Sequence, residues 1–445
     1  MSVKTPISDF IDEITKKDVV RLFMPGHKGV EITGPEKYDI TEIHGADSLY
    51  SADGIIAESE KICSGIFGSK KTIYSTEGSS QCIKAMIYLL KYFKQSEKIH
   101  ILAARNVHKS FLYACALSDC EVDWIASDEL NSSVCSCRIR PETVEEKLRN
   151  KKYDAVYLTS PDYLGNISDI ESVSDICHRY GALLLVDNAH GAYLHFLPEK
   201  MHPLDLGADM CCDSAHKTLP VLTSGAYLHL SARIPDYVAE KAKDAMEMFG
   251  STSPSYLVLK SLDVCNKYLD EKIRDDLRKT IEQITKAKQT ISDNGWKVCE
   301  SEPLKIVIQS PKSRTGYEIA DMMRRNGIEC EFCDKDFVTC MVSTFSSEND
   351  IRCLVKALGK NNEKETRTLP KVCVCETKMS IREALFSTSE NISVDDSLGR
   401  ICSDVKVSCP PAVPIVMPGE IVNEDAVELL KYYGISKIDA VKNRN

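Results

Sequence analysis

The sequence predicts an α/β protein whose main sheet is mostly parallel and covered by helices on both faces. Over the first 265 residues, short apolar segments alternate with segments of helical period. The apolar segments are almost continuously apolar, which is typical of strands buried on both faces rather than on one. Polar residues collect where these strands end, at the edge where open parallel sheets bind their ligands.

The strands and helices follow one another in a regular order. Residues 71–93, 98–120 and 153–181 each read as a strand, a polar turn and an amphipathic helix. Residues 182–194, 208–217 and 224–230 are three further apolar runs with polar residues at their ends. Strands alternating with helices in this way predict parallel pairing between most of the strands.

The rest of the chain predicts further domains, since 445 residues exceed one ordinary core. Residues 255–296 have the period of one long charged helix, and an α+β stretch and a polar linker follow it. We expect four parts, which are an N-terminal segment, a large cofactor-binding domain, a small α+β domain and a C-terminal domain. Their predicted bounds are 1–70, 71–265, 266–365 and 366–445.

Composition excludes several classes of protein. The net charge is -10 and no basic stripe is present, so we expect no nucleic-acid partner. No segment reaches the roughly 18 apolar residues of a membrane span, and the N-terminus lacks an apolar leader. We therefore expect a cytoplasmic protein.

The 19 cysteines raise the alternatives of disulfides or zinc. Cys330 and Cys333 form a CxxC in a strand-like stretch, and Cys373 and Cys375 are separated by one residue. Structural zinc sites use matched pairs of such motifs, and disulfides are rare in a reducing compartment. We expect free, mostly buried thiols and no metal.

Lys217 is the most informative single residue. It follows the apolar run that ends at Asp213 and the residues Ser214 and His216. Taken alone, a lysine at a strand end is often an extended surface side chain or half of an ion pair. Asp187 changes that interpretation, because it ends the apolar stretch LLLVD, where an unpaired carboxylate is costly to bury.

A phosphate site and several histidines complete the pattern. Gly78, Ser79 and Ser80 open a helix, where backbone N–H groups and the helix dipole favour a phosphate. Histidines follow other strand ends at positions 108, 190 and 216. Each feature is weak alone, but pyridoxal phosphate (PLP) explains them together.

PLP requires a lysine for its aldehyde, an acid for its ring nitrogen and a phosphate cup. We predict Lys217 for the first and Asp187 for the second. Gly78, Ser79 and Ser80 would hold the phosphate, with help from Ser214 and His216.

The motifs resemble those of the Orn/Lys/Arg decarboxylases, a fold-type I family of PLP-dependent enzymes. The specific pair is MPGHKG at 24–29 with the SAHK lysine. The other matches are DSLYSADGIIAESE (47–60), TEGSS (76–80), NVHKS (106–110), SPDYLGNISDI (160–170), VDNAHGAY (186–193), DSAHKTL (213–219), STSPSY (251–256) and PPAVPIVMPGE (410–420).

The resemblance implies a seven-stranded large-domain sheet of the aspartate aminotransferase type. It implies that His108 stacks on the cofactor ring and that His190 lies beside the O3′ edge. It also implies a homodimer with shared active sites, in which the loop containing Ser253 reaches the PLP phosphate of the partner. The chain resembles the short form of the family, without an N-terminal wing domain. Tyr50 and Glu77 depart from the residues usual in relatives.

The implied reaction is decarboxylation of arginine, lysine or ornithine to a polyamine precursor. Another fold-type I enzyme, such as an aminotransferase or a lyase, would share Lys217 and Asp187. An aminotransferase usually has an arginine that grips the α-carboxylate, and the candidates here are Arg324 and Arg325 in a predicted helix. A non-catalytic relative is the third alternative, which the intact lysine, aspartate and histidine set disfavours.

Overall fold

The computed structural model describes residues 3–17, 19–405, 408–409 and 413–442. Its strands, in chain order, are β1 (Lys71–Ser75), β2 (Ile99–Ala104), β3 (Cys120–Ile125), β4 (Ala155–Thr159), β5 (Leu183–Asp187), β6 (Met210–Asp213), β7 (Ala226–Leu230), β8 (Lys297–Cys299), β9 (Lys305–Gln309), β10 (Phe332–Cys333), β11 (Phe337–Met341), β12 (Ser389–Ser393), β13 (Ser408–Cys409), β14 (Val413–Pro414) and β15 (Lys437–Val441).

The α-helices are α1 (Pro6–Lys16), α2 (Ile55–Phe67), α3 (Ser79–Lys94), α4 (Lys109–Ser118), α5 (Pro141–Asn150), α6 (Ile170–Arg179), α7 (Ala215–Thr218), α8 (Asp236–Glu240), α9 (Ala242–Glu247), α10 (Tyr256–Glu271), α11 (Ile273–Asp293), α12 (Gly316–Arg325), α13 (Glu348–Leu358), α14 (Ile381–Phe386) and α15 (Glu424–Tyr432). Short 3₁₀ helices span Glu36–Tyr38 and Ala192–Phe196. Within the described ranges, none of the helices combines the length and the apolar composition needed to cross a membrane.

The main sheet confirms the predicted fold class. It has seven strands in the order β1-β7-β6-β5-β4-β2-β3. The pairs β2–β3, β2–β4 and β5–β6 are parallel, whereas β7 is antiparallel to β1 and to β6. The strands are largely buried, as their apolar sequences predicted.

The chain divides into two compact units, each made of two separate stretches. The first unit comprises residues 1–95 and 183–277, and the second comprises residues 96–182 and 278–445. In the first unit, helix α1 buries Ile7 and Ile11, and the backbone N–H of Ser8 donates to Asp263 of α10. This unit contains most of the predicted cofactor-binding residues.

The second unit contains a smaller sheet and the C-terminal part of the chain. Strands β10, β11, β9 and β8 pair in that order and are all antiparallel. A buried ion pair joins Arg105, which follows β2, to Glu420 of the MPGE segment. The guanidinium forms two hydrogen bonds to the carboxylate, of 2.5 and 2.9 Å. Residues 410–412, which open the proline-rich motif, lie outside the described residues.

The prediction of one continuous helix over residues 255–296 is wrong, because the structure has two helices there. Helix α10 ends at Glu271 and α11 begins at Ile273, with Lys272 between them in a non-helical conformation (φ -131°, ψ -31°). The amphipathic period continues through both helices, so the sequence pattern alone does not reveal the break.

A buried polar cluster in the first unit supports the end of β6. Asp213 Oδ2 accepts hydrogen bonds from His202 Nε2 at 3.0 Å and from His229 Nε2 at 3.2 Å. His229 Nδ1 lies 2.8 Å from the hydroxyl of Thr72. These contacts suit a neutral His229 that donates through Nε2 and accepts the Thr72 hydroxyl through Nδ1. The core therefore holds a carboxylate with two imidazole donors.

Burial and the neighbouring polar groups have opposite effects on the pKa values of His229 and Asp213. Burial lowers the pKa of His229, and the nearby Asp213 only partly offsets this effect. Burial alone would raise the pKa of Asp213, but His202 and His229 hold it well below its usual range. At neutral pH the folded protein therefore has an ionised Asp213 beside a neutral His229.

The cluster predicts acid sensitivity that begins near the ordinary histidine pKa. Because the folded-state pKa of His229 is lowered, the unfolded chain binds this proton first as the pH falls below about 6.5, so folding stability decreases. His229→Gln should reduce the slope of unfolding free energy against pH by up to about 1.4 kcal/mol per pH unit between pH 5 and 7. Denaturant unfolding across this range measures the slope, and the difference at pH 8 gives the pH-independent cost of the substitution. Identical slopes for the wild type and His229→Gln would contradict the lowered pKa of His229.

Candidate active site

The first unit brings Lys217 and His190 into direct contact. Lys217 lies in the single-turn helix α7, which begins directly after Ser214 at the end of β6. Its Nζ is 2.9 Å from Nε2 of His190, which follows β5 in the turn after Asp187. His190 is only 4% exposed, so the amine lies beside a buried imidazole. The ends of β5 and β6 therefore bring Lys217 and His190 together.

Asp187 is buried at the end of β5, with 2% of its surface exposed. Burial raises the pKa of this carboxyl, whereas the charge of Lys217 and a hydrogen bond from the Ala189 N–H lower it. Among the described residues, the hydrogen bonds to Asp187 come from Ala189 N and Cys212 Sγ, and both end on Oδ1. The second oxygen, Oδ2, remains available for a donor that the protein itself does not supply.

The predicted phosphate cup lies at the start of α3. Gly78 has φ +73°, a left-handed value that favours glycine, and it directly precedes the first helical residue. The hydroxyls of Ser79 and Ser214 are 2.8 Å apart, so two of the predicted phosphate ligands come from different strand ends and meet. Ser80 is in the first turn of the same helix. The helix N-terminus and these hydroxyls together favour an anion.

His216 and His108, which were also predicted to bind the cofactor, each contact a backbone group. His216 Nδ1 lies 3.0 Å from the carbonyl oxygen of Gly225, in the turn before β7. His108 is in the second unit, where its Nδ1 accepts from the Ser110 N–H as the N-cap of α4. The accepting role of Nδ1 places the proton of a neutral His108 imidazole on Nε2.

Ser253 lies in an exposed loop before α10. Residues 251–253 are exposed, and the helix is capped by Ser255, whose hydroxyl accepts from the Val258 N–H. Ser255, and not Ser253, is therefore the N-cap of α10. The loop begins at Gly250, where a Cβ would lie 1.9 Å from Tyr50 Oη, so only glycine fits.

Tyr50 and Glu77 are the two residues that differ from those usual in relatives. The Tyr50 hydroxyl accepts a hydrogen bond from Gln81 Nε2 at 2.8 Å, and burial raises its pKa. Glu77 is exposed, and its backbone N–H donates to Ser75 Oγ at 3.0 Å. Tyr50 thus helps to fix Gln81 in the first turn of α3, next to the predicted phosphate cup.

Sequence reasoning missed the polar support beneath the site. Asn188 Nδ2 donates to Asp213 Oδ1 at 2.6 Å, which connects the turn after β5 to the buried histidine cluster. A Cβ at Gly191 would lie 2.0 Å from Asn188 Oδ1, so the turn that carries His190 packs closely on this amide. Asp213 ends an apolar strand as Asp187 does, and the same argument from the cost of a buried carboxylate could have identified it.

The chemistry of these residues fits PLP. The lysine amine lies beside an imidazole, the buried carboxylate has one oxygen without a donor, and the anion-binding turn is built from a glycine and two serines. Each of these groups matches one requirement of the cofactor, namely its aldehyde, ring nitrogen and phosphate.

Comparison with known proteins agrees with this fit. Residues 33–312 match the family described as Orn/Lys/Arg decarboxylase, major domain, and residues 360–440 match its C-terminal domain. An arginine decarboxylase of Halalkalibacterium halodurans is 28% identical over 96% of this chain and 93% of its own length. The uncharacterized protein YaaO of Bacillus subtilis is 27% identical over 96% of this chain and 94% of its own length.

Two solved structures have a similar fold. Lysine decarboxylase A of Pseudomonas aeruginosa gives a TM-score of 0.83 at 17% identity, with 98% of this chain and 80% of that chain covered. The lysine decarboxylase LdcF of Francisella novicida gives a TM-score of 0.80 at 15% identity, with 98% and 81% covered.

The family match covers well over half of the sequence and includes both Lys217 in the major domain and Glu420 in the C-terminal domain. The fold agrees with it, and so does the arrangement of the lysine, the buried aspartate and the anion-binding turn. The chain belongs to the Orn/Lys/Arg decarboxylase family and is a PLP-dependent amino-acid decarboxylase.

Proposed function

We propose that the protein decarboxylates a basic amino acid and that Lys217 carries the cofactor. The observation that carries the proposal is the contact between Lys217 Nζ and His190 Nε2, 2.9 Å apart, within electrostatic reach of the buried Asp187. Named relatives that align over nearly the whole chain are arginine decarboxylases. They support arginine as the first substrate to test, ahead of lysine and ornithine.

Each residue has a distinct proposed role. Asp187 Oδ2 accepts a hydrogen bond from the ring nitrogen and keeps that nitrogen protonated. Ser79, Ser80 and Ser214 bind the phosphate with the N–H groups at the start of α3. The His190 imidazole holds the lysine amine in place through the 2.9 Å contact and exchanges a proton with it.

When bound, PLP supplies an electron sink for the electron pair released as the bond from the α-carbon to the carboxylate breaks. Lys217, whose amine contacts His190 at 2.9 Å, would then return a proton to the α-carbon. The buried position of Asp187 makes its electrostatic effect stronger than it would be in water. The role of His108 as a ring-stacking residue remains a prediction from the family resemblance.

An aminotransferase function receives no support from the candidate arginines. Arg324 is exposed on α12 and pairs with Asp321 at 2.8 Å and with Glu329 at 2.9 Å. Arg325 is exposed on the same helix. An arginine that binds a substrate carboxylate cannot at the same time be paired with carboxylates of the protein. The ion pairs of Arg324 therefore favour decarboxylation over transamination.

We also propose a homodimer with shared active sites. In the first unit, several large apolar side chains are exposed between residues 19 and 32, including Val20 at 78%, Leu22 at 89% and Ile32 at 75%. This stretch includes the MPGHKG motif, and a second copy of the chain is the proposed cover for it. The exposed hydroxyls of residues 251–253 are available to reach the partner's phosphate.

The cytoplasm remains the predicted location. It is supported by the many free thiols, which persist in a reducing compartment.

Lys217→Ala should abolish turnover and the visible absorbance of the bound cofactor, because it removes the amine proposed to bond the aldehyde. Carbon dioxide release and absorption spectra of the purified protein measure both effects. Lys243→Ala is the matched control, since Lys243 is also largely buried in the first unit but pairs with Glu60 at 2.7 Å. Retention of both signals in Lys217→Ala would make Lys217 a structural residue.

The substrate class is tested by a panel of amino acids with the wild-type enzyme. We expect carbon dioxide from arginine, lysine or ornithine at a kcat/KM at least about tenfold above that for glutamate or an aromatic amino acid, a difference of about 1.4 kcal/mol. Consumption of the amino acid without release of carbon dioxide would indicate a different PLP reaction. Preference for glutamate or an aromatic amino acid would refute the basic substrate.

Shared sites predict complementation between two inactive variants. One chain carries Lys217→Ala, and the other carries Ser253→Trp, which spares the Ser255 helix cap. A heterodimer then has one site with both changes and one with neither, so statistical mixing should restore about a quarter of wild-type activity. Mixing each variant with itself is the control. No recovery, with heterodimers confirmed by mass, would place the loop in its own chain's site or away from any site.

A further inference from the structure

The second unit contains two thiols in close contact outside the proposed active site. Cys373 Sγ and Cys375 Sγ are 3.4 Å apart. The stretch between the bridges at Lys371 and Thr377 is extended, so the side chains at 373 and 375 project to the same side. Val374 between them is 60% exposed, whereas the two cysteines are 4% and 7% exposed. The backbone therefore presents the two sulfurs to each other.

We propose that Cys373 and Cys375 are an oxidation site that forms a reversible disulfide when the protein meets a hydroperoxide. The proposal is independent of the decarboxylation chemistry. A disulfide bond is about 2.05 Å long, so closing it requires the two sulfurs to approach by little more than one ångström.

The surroundings favour one sulfur as the nucleophile. The hydrogen bond from Cys373 lowers the pKa of Cys375, against the effect of burial. The Arg105 guanidinium acts in the same direction, while Glu420 opposes it. Thiolate character next to a cation and a second thiol is the usual setting of an oxidisable cysteine.

A surface cleft reaches Cys373, which is in contact with Cys375. Cys373 lines a surface cleft together with Arg105, Ser133 and Val372. The cleft is narrow, so hydrogen peroxide or a short alkyl hydroperoxide is the oxidant class that fits. A bulky disulfide such as oxidised glutathione would reach these nearly buried sulfurs poorly.

The reaction balances in two steps. The Cys375 thiolate attacks one peroxide oxygen, the O–O bond breaks, and sulfenic acid and hydroxide (or alkoxide) form. The Cys373 sulfur then attacks the Cys375 sulfur, a disulfide forms, and the sulfenic oxygen leaves as water with the thiol proton. Two thiols are oxidised by two electrons, and one peroxide is reduced to water, or to water and an alcohol.

Closure would also change a contact at the start of α15. Cys373 Sγ lies 3.7 Å from Oδ1 of Asn423, the N-cap of this helix, and its single S–H can donate either there or to Cys375. The disulfide removes that donor while the N-cap bond from the Ala426 N–H remains. Oxidation therefore alters the packing beside the helix cap without removing the cap itself.

Trypsin isolates the pair on one short peptide. Cleavage after Lys371 and Lys378 gives residues 372–378, VCVCETK, which contains both cysteines and no others. Cleavage after Arg325 and Lys335 gives residues 326–335, NGIECEFCDK, which contains Cys330 and Cys333. The second peptide is an internal control, because burial raises the pKa of Cys330 to about 11.

The test treats the folded full-length protein with hydrogen peroxide, removes the peroxide with catalase, alkylates under denaturing conditions and measures both peptides by mass spectrometry. We expect peptide 372–378 to carry no alkyl group and to be two hydrogens lighter than the free dithiol peptide, while peptide 326–335 remains alkylated, and dithiothreitol should reverse the change. Peptide 372–378 remaining doubly alkylated, or gaining oxygen without a disulfide, would overturn the proposal. So would earlier oxidation of the control peptide.

Two variants test the order of attack. Cys373→Ser should leave a Cys375 sulfenic acid that dimedone labels, whereas Cys375→Ser should show several-fold less label on Cys373. Equal labelling in the two variants would overturn the assignment of Cys375 as the nucleophile. Circular dichroism of both variants confirms that the comparison is made between folded proteins.

Discussion

The burial of Asp187 is the constraint on which the proposed site depends. A carboxylate that is 2% exposed has lost nearly all of its hydration, and within the described ranges the hydrogen bonds from Ala189 and Cys212 both end on Oδ1. Such a group is costly unless a cation or a further donor compensates it. Lys217 supplies part of the compensation, and a protonated ring nitrogen would supply the rest. We therefore propose that a bound cofactor completes the electrostatic balance of the site.

The cluster around Asp213 extends this arrangement into the core. Asn188 follows Asp187 in the chain and donates to Asp213, which His202 and His229 hold from the other side. Because these groups are buried, their hydrogen bonds fix the turn that carries both Asp187 and His190. The position of Lys217 relative to His190 is thus linked to polar contacts inside the first unit. Preorganisation of this kind allows a fixed charge to act without reorganising during the reaction.

Much of this could be predicted from the sequence, because the relevant signals are local. The strand ends at Asp187 and Asp213, the glycine at position 78 and the alternation of strands and helices are all visible in short stretches. The break at Lys272 was missed, since the amphipathic pattern continues through it. The partners of Asp213 were missed for a different reason. His202 and His229 are separated from it by 11 and 16 residues, and only the fold brings their rings to its carboxylate.

The central claim is tested most directly by removing the charge of Asp187 while keeping its shape. Asp187→Asn should bind PLP more weakly and turn over at least about a hundredfold more slowly, by comparison with the loss of one preorganised electrostatic contact. Asp209→Asn is the matched control, since Asp209 is also buried in the first unit but accepts a structural hydrogen bond from the Leu184 N–H. Cofactor titration and carbon dioxide release should separate the two variants. Wild-type cofactor affinity and turnover in a folded Asp187→Asn protein would contradict the account.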